Sequence, residues 1–164
     1  MRILGIDPGS RTTGYGIIND HNKSLNYLDS GCIRTQSTEF SQRLLQIYDG
    51  ICELMQRYMP DEVVIEQVFM HDNASSALKL GQARGAALVA AASFRVPIFE
   101  YAPRAVKQSV VGYGGAEKEQ VKHMVMRLLH LNRPPQTDAS DALALALCHA
   151  HQRHYQQTLI RIKQ

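Results

Sequence analysis

Four carboxylic acids stand at points where the sequence pattern changes from one element to the next. Asp7 follows the apolar run at residues 3–6, and Glu66 ends an apolar run at 62–66. Asp138 and Asp141 lie three residues apart at the start of a helical pattern, which directs both side chains to the same side of that helix. Oxygen ligands without an obligatory histidine or cysteine suit a hard cation such as Mg²⁺. The spacing therefore indicates a divalent metal site.

Ordinary structural explanations remain open for three of these acids. Asp138 followed by Asp141 is also typical of a helix N-cap with a second acid in the first turn. Asp7 stands before Pro8 and Gly9, which is common turn chemistry. Glu66 is harder to explain in this way, because a carboxylate on an apolar strand is costly unless it is paired or binds a metal.

The charge distribution favours a polyanionic partner for such a metal site. Without a cation, four clustered carboxylates repel one another and raise their own pKa values. Two ions about 4 Å apart relieve that repulsion, activate a water and stabilise the leaving oxygen of a phosphodiester. The net charge of +3 would be +7 without these four acids, and residues 67–133 carry nine basic against four acidic side chains. This pattern indicates hydrolysis of nucleic acid, although a merely lysine-rich solvated surface explains the charge equally well.

The elements that must position these acids begin with short β-rich segments. Residues 2–6, 14–18 and 25–33 are separated by turn sequences and predict an antiparallel meander. Residues 62–66 predict a buried strand, and 96–101 a further strand that Pro97 places at an edge. If a crossover pairs strand 62–66 with the first strand, Asp7 and Glu66 lie side by side.

The remaining segments follow a helical period and complete an α/β fold. A helix over 41–58 has Ser41 as N-cap and ends before Pro60, and a helix over 74–94 has Gly81 and Gly85 placed for close backbone packing. Three more helices are predicted over 105–110, 116–129 and 138–151, the last of them amphipathic. The predicted architecture is a five-stranded mixed sheet, three strands antiparallel and two parallel, with helices on both faces. Residues 1–151 form one domain, followed by a basic tail at 152–164.

Length and composition exclude several other classes of protein. A chain of 164 residues with 45% hydrophobic side chains has the size of one folded domain. No apolar run approaches the ~20 residues that cross a bilayer, and the N-terminal apolar run is too short for a signal peptide. Three cysteines without a CxxC spacing predict neither a disulfide framework nor a thiolate zinc site. We therefore expect a cytoplasmic protein that does not contact membranes.

Several motifs, in order, give the sequence a family resemblance. GIDPGSRTTGYG, IEQVF, ALKLGQARGA, EYAPRAVKQSVVGYGGAEKEQV and TDASDALALA resemble the RuvC family of crossover junction endodeoxyribonucleases, the bacterial Holliday junction resolvases, over residues 2–150. The resemblance implies a ribonuclease H-like fold and a homodimer that makes paired symmetrical nicks in four-way DNA junctions during recombination and repair. It also implies dependence on Mg²⁺, with Mn²⁺ as a substitute and two ions in each active site, and work beside a branch-migration helicase complex.

The resemblance also assigns roles to individual residues. The four acids become the metal-binding catalytic residues, and Lys107 and Lys118 support cleavage by stabilising phosphate charge. Phe69 becomes the aromatic that stacks on a base at the opened junction centre. Without the resemblance, the lysines are typical of a solvated surface and the phenylalanine of a core position.

Other residues contribute weaker predictions. Basic side chains expected to contact the DNA backbone are Arg11, Lys79, Arg84, Arg104, Lys122 and Arg127. A junction with near-twofold symmetry calls for a twofold dimer, for which the helix with Gly81 and Gly85 is the expected surface. The glycines at 9, 14 and 16 are expected to allow turn dihedrals and close strand approach. The histidines at 149, 151 and 154 form a tract that only weakly suggests a transition-metal site.

Three alternatives belong to other functional classes. The Ile-Asp-x-Gly phosphate loop also occurs in ATP-binding proteins of the actin and sugar-kinase superfamily, but that fold needs two domains and a second such loop. A ribonuclease H-like nuclease acting on RNA would be distinguished by its substrates. A non-catalytic junction-binding module would show no Mg²⁺-dependent nicking.

Overall fold

The computed structural model describes residues 1–68 and 73–162, and in it one five-stranded sheet forms the centre. Its strands are β1 (Arg2–Asp7), β2 (Thr12–His21), β3 (Ser24–Arg34), β4 (Glu62–Glu66) and β5 (Ile98–Tyr101). They lie in the order β3-β2-β1-β4-β5, with β1, β2 and β3 antiparallel and β1, β4 and β5 parallel. The predicted mixed sheet and the edge position of the last strand are confirmed.

Within residues 1–68 and 73–162, five helices cover the two faces of this sheet. They are α1 (Phe40–Tyr58), α2 (Ala74–Ala92), α3 (Pro103–Val111), α4 (Lys118–Leu128) and α5 (Thr137–Ile162). Buried side chains of α1 and α2 pack with Leu4 and Ile65 on one face, whereas those of α3, α4 and α5 pack with Ile3 and Val64 on the other. Because successive strand residues point to opposite faces, the odd positions of β1 and the even positions of β4 face α5.

The last helix differs from its prediction in two ways. It is not amphipathic from 142 to 150, because every residue there is buried between the sheet and the layer formed by α3 and α4. The predicted end near His151 is also wrong, since the helix continues to Ile162 and crosses the proposed boundary between domain and tail. Arg153 and His154 explain the extension, because they bond Glu62 and Asp20 of the sheet.

Two further predictions about helices are corrected. The N-cap of α1 is Glu39 rather than Ser41, which lies inside the helix; Met59, in a left-handed conformation with φ 45°, ends the helix before Pro60. A Cβ added at Gly81 or Gly85 meets no atom within 4 Å, so these glycines do not provide close packing within the part of the chain described.

No helix in the described ranges is long and apolar enough to span a membrane.

Candidate active site

Strand pairing brings Asp7 and Glu66 together. Ile6 of β1 is the register partner of Ile65 of β4, so the next residue of each strand lies beside the other at the same sheet edge. The alternation of side chains points both carboxylates toward α5. The predicted crossover pairing is therefore observed, and it juxtaposes acids 59 positions apart in the sequence.

Glycines of β1 and β2 allow α5 to pack directly on the sheet next to these acids. A Cβ at Gly5 would lie 2.0 Å from the Ala142 carbonyl oxygen, and one at Gly14 would lie 2.0 Å from the Asp138 carbonyl oxygen. Gly14 is the register partner of Asp7, so the first turn of α5 rests directly beside the Asp7 strand position. Any side chain at Gly5 or Gly14 would displace the helix and the acids that it carries.

The predicted role of the glycines at 14 and 16 is corrected by this contact, whereas Gly9 allows the close approach predicted near Asp7, because a Cβ there would lie 2.1 Å from the Thr12 carbonyl oxygen. Among the described glycines, only Gly112, which ends α3, has a positive φ. The glycines at 14 and 16 instead accept a helix, and Gly5, for which the sequence analysis predicted no role, does so as well. The sequence could have indicated this contact by the alternation of the glycines along the strands. Gly5 pairs with Gly16 across β1 and β2, so the same face of both strands lacks side chains at these positions.

Three acids and two lysines line one cleft at this edge. Asp7, Glu66 and Asp141 come from β1, β4 and α5, whereas Lys107 and Lys118 come from α3 and α4. The Lys118 Nζ lies 3.2 Å from Oδ2 of Asp141, with 70% of the lysine side chain exposed. Asp138 does not line the cleft, although its charge reaches Asp7.

The crowded carboxylates hold their protons unusually well. Burial first, and then the charges of Glu66, Asp141 and Asp138, together raise the pKa of Asp7 to about 8, against the opposing effect of Lys118. Burial also raises the pKa of Glu66 and of Asp141, with Lys118 and Lys107 acting in the opposite direction. Asp141 in turn raises the pKa of Lys118. The two lysines of the cleft therefore do not fully offset the effect of burial and of the neighbouring acids on these pKa values.

The side chains that line the cleft are of the kind that bind a hard cation. Its carboxylate oxygens are the ligands that Mg²⁺ takes, and a cation would remove the repulsion that raises their pKa values. Within residues 1–68 and 73–162, no group of three or more acidic, histidine or cysteine side chains stands close enough to hold an ion as placed.

The predicted DNA-contacting residues fall into different environments. Arg11, Lys79, Arg104 and Arg127 are exposed, and Lys122 is half-buried. Arg84 is already engaged: its Nε donates to the Glu66 carbonyl oxygen at 2.9 Å, and its Nη2 lies 2.6 Å from Oε2 of Glu100. It therefore braces the end of β4 that carries Glu66, a role that the sequence analysis missed. Phe69 lies outside the described residues.

The histidine tract does not converge on one point. His149 is buried, with Nε2 2.6 Å from Glu62 Oε2 and Nδ1 2.9 Å from the Tyr101 hydroxyl. His151 faces Ser109, and His154 Nε2 lies 2.7 Å from Oδ2 of Asp20. These partners sit in three separate places, so the tract serves packing and pairing rather than metal ligation.

Comparison with known proteins places the chain among well-defined relatives. A family model described as crossover junction endodeoxyribonuclease RuvC matches residues 3–149. The chain is 66% identical over 159 residues to the crossover junction endodeoxyribonuclease RuvC of Legionella pneumophila, covering 96% of this chain and 91% of that protein. It is 61% identical over 160 residues to the Tolumonas auensis protein of the same description, covering 98% of this chain and 91% of that one.

The fold agrees with these sequence matches. The structure of Thermus thermophilus RuvC in complex with Holliday junction substrate superimposes with a TM-score of 0.88 at 35% identity, covering 94% of this chain and 96% of that chain. The yeast mitochondrial Holliday junction resolvase Ydc2 shares the fold, with a TM-score of 0.67 at 11% identity over 98% of this chain and 85% of that one. The ribonuclease H-like fold expected from the sequence is confirmed.

Proposed function

The chain belongs to the RuvC family of crossover junction endodeoxyribonucleases, and from that premise we propose that it resolves four-way DNA junctions by paired, symmetrical, metal-dependent nicks. The observation that carries the proposal is the convergence of Asp7, Glu66 and Asp141 in one cleft beside two lysines. Carboxylates brought from three distant segments, at the cost of raised pKa values, are expected of a site that binds cations and phosphate together.

The four acids are the proposed holders of Mg²⁺, or of Mn²⁺ in its place, with two ions in each active site. The bound ions supply an activated water and stabilisation of the leaving oxygen. Asp7, Glu66 and Asp141 line the cleft directly, and Asp138 lies next to it on the first turn of α5. The raised pKa of Asp7 means that its carboxyl retains a proton at neutral pH until positive charge arrives.

Lys107 and Lys118 are the proposed phosphate-binding side chains of the cleft. Both lower the pKa of Glu66 and Asp141, which shows that their charges reach the acids. Lys118 is mostly exposed and, among the residues that the structure describes, bonds one acid, so its ammonium group can turn toward a phosphate. Positive charge at that point stabilises the negative charge that develops during cleavage.

Basic residues around the cleft are proposed to hold the junction arms. Arg104 lies in the first turn of α3, three residues before Lys107, and Lys122 lies one turn after Lys118 on α4. Such contacts fix the position of the DNA without reading its sequence. Stacking of Phe69 on a junction base stays part of the proposal on the strength of the family resemblance alone.

An exposed stripe on α2 supports the proposed homodimer. Leu78, Gly81, Gly85 and Val89 share one side of this helix, and Leu78 and Val89 are 69% and 62% exposed. The glycines have open space above them, which allows a second backbone to approach closely. A twofold pair of such helices would supply two active sites for two strands.

Cellular context completes the proposal. We propose that the protein acts in the cytoplasm during homologous recombination and DNA repair, with a branch-migration helicase complex as its partner. These assignments rest on family membership.

The test is cleavage of a labelled mobile four-way junction with and without Mg²⁺, beside the variant Asp7→Asn and a panel of duplex DNA and RNA substrates. We expect ligatable nicks at symmetrical positions in the junction only with wild type and metal. Equal cutting of the RNA would instead favour the ribonuclease alternative, and binding without Mg²⁺-dependent nicks would favour a non-catalytic module.

A further inference from the structure

A second polar pocket lies at the same sheet edge as Asp7, on the side that α1 covers. It is lined by the loop between β3 and α1 and by two arginines, namely Arg11, Thr35, Gln36, Ser37, Thr38 and Arg43. Thr12 pairs with Arg34, and the Thr35 amide donates to the Arg11 carbonyl oxygen at 3.0 Å, so the loop before β2 and the loop after β3 form one wall.

Arg43 fixes the shape of this pocket. Its Nε and Nη2 donate to the Ser10 carbonyl oxygen at 3.0 and 2.5 Å, and Nε also lies 3.3 Å from Oγ1 of Thr35. The Thr35 hydroxyl donates to the Ser10 and Arg11 carbonyl oxygens, both at 3.2 Å. These bonds hold the loop that begins immediately after Asp7, which ties the pocket rigidly to the catalytic strand.

Other donors in the pocket remain available for a ligand. The Ser37 hydroxyl oxygen accepts from the Glu39 amide at 3.1 Å, which leaves its proton free to be donated. Across the described part of the chain, the Arg11 guanidinium and the Thr38 hydroxyl have no hydrogen-bond partner, and both residues are exposed. Among the described residues that line this pocket there is no acid, in contrast to the three acids that line the catalytic cleft.

We propose that this pocket, formed by Arg11, Ser37, Thr38 and Arg43, binds one backbone phosphate of the same DNA strand whose scissile phosphate lies in the active site; this rests on the proposed function. An arginine with hydroxyl donors and no acid is suited to a phosphate rather than to a base. β3 lies two strand spacings, about 10 Å, from β1. At about 3.4 Å of rise per nucleotide, the bound phosphate lies a few nucleotides from the cut.

The first test measures junction binding without metal across a series of salt concentrations. In Arg11→Ala, we expect the slope of log affinity against log salt to become shallower by about 0.9, the loss of one neutralised phosphate. The double variant Ser37→Ala/Thr38→Val removes neutral donors, so affinity should fall about tenfold with the slope unchanged.

The matched control is Arg57→Ala, which removes the same charge from the last turn of α1, about 20 Å from Arg43 along the helix. We expect Arg57→Ala to bind the junction with the affinity and the salt dependence of the wild type. An unchanged slope in Arg11→Ala, or an equal change in both arginine variants, would overturn the proposal, because the effect would then be absent or merely global.

A second measurement locates the phosphate. Junctions that carry a neutral methylphosphonate at successive positions beside the cut should bind wild type less tightly at one position, where Arg11→Ala shows no further loss. Sensitivity that persists in the variant at every position contradicts the pocket. If wild type nicks the junction while these results are negative, only the pocket fails; if wild type makes no nicks with Mg²⁺, the proposed function fails.

Discussion

The two ends of the sheet hold carboxylates in opposite ways. β4 has a glutamate at each terminus, and both face α5. Glu62 accepts from His149 and from the Arg153 guanidinium, with the histidine only 2% exposed. Glu66, at the other end, shares its cleft with Asp7 and Asp141. One strand therefore carries an acid that is paired with basic side chains at its start and an acid that is crowded by other acids at its end.

The same contrast extends to neighbouring elements. Asp20, near the Glu62 end, is paired with His154, whereas Asp141 has only a largely exposed lysine. α5 supplies hydrogen-bond donors at one end and Asp138 and Asp141 at the other, so a single helix determines both environments. Paired acids contribute to holding the helix on the sheet. Crowded acids oppose folding, and the proposed binding of cations accounts for them.

The largest expected effects separate the two glutamates of β4. Glu66→Gln should lower the nicking rate more than about 100-fold, since it removes a proposed metal ligand, while leaving stability equal or higher. Glu62→Gln should lower the free energy of unfolding by about 3 kcal/mol, because Arg153 loses its buried partner, with nicking by the folded protein retained. Urea unfolding and nicking rates measure both. Loss of nicking in a folded Glu62→Gln protein would erase the contrast.

The crowded acids at the Glu66 end of the sheet should make the stability of the protein depend on pH, chiefly through Asp7. The folded pKa of Asp7 is about 8, against an ordinary value of 3.8, so the folded protein binds a proton that the unfolded chain releases. Without metal, the free energy of unfolding should therefore fall as pH rises from about 4 to about 8, by on the order of a few kcal/mol. Asp7→Asn should remove most of that fall. Thermal melts in a chelator across this pH range provide the measurement, and identical pH profiles for both proteins would contradict the assignment.

A smaller effect is expected at Lys118. Lys118→Ala should lower the nicking rate about tenfold, less than loss of a buried oxyanion donor, because the side chain is mostly exposed. Removing its charge also takes away an influence that lowers the pKa of Asp7 and Asp141, so the pH of half-maximal rate should rise. Lys23→Ala, at the turn between β2 and β3, is the control. A rate loss without a pH shift would mean that Lys118 does not act on these acids.

Local patterns were sufficient for the sheet but not for α5. Apolar alternation, turn residues and the crossover rule predicted the pairing of β1 with β4 and hence the closeness of Asp7 and Glu66. The length and burial of α5 depend on partners far away in the sequence: Glu62 lies 91 positions before Arg153, and Asp20 lies 134 positions before His154. Periodicity within the helix cannot report such contacts.

The site shows the same division. Residue type and spacing identified the acids that line the cleft. The way α5 reaches them, over Gly5 and Gly14, follows from which face each glycine occupies once the strands have paired. The bracing of Glu66 by Arg84 likewise needs α2 in place beside β4. From its charge, the sequence analysis predicted only that Arg84 contacts the DNA backbone.

Calorimetric titration of the protein with Mg²⁺ at neutral pH, in buffers of different ionisation enthalpy, tests most directly whether the crowded acids bind divalent cations. We expect wild type to bind Mg²⁺ with release of protons, since Asp7 holds one at this pH, and Glu62→Gln to do the same where it is folded. Asp7→Asn should bind weakly and release fewer protons. Wild-type protein that takes up no Mg²⁺, or that binds it without releasing protons, would contradict the account.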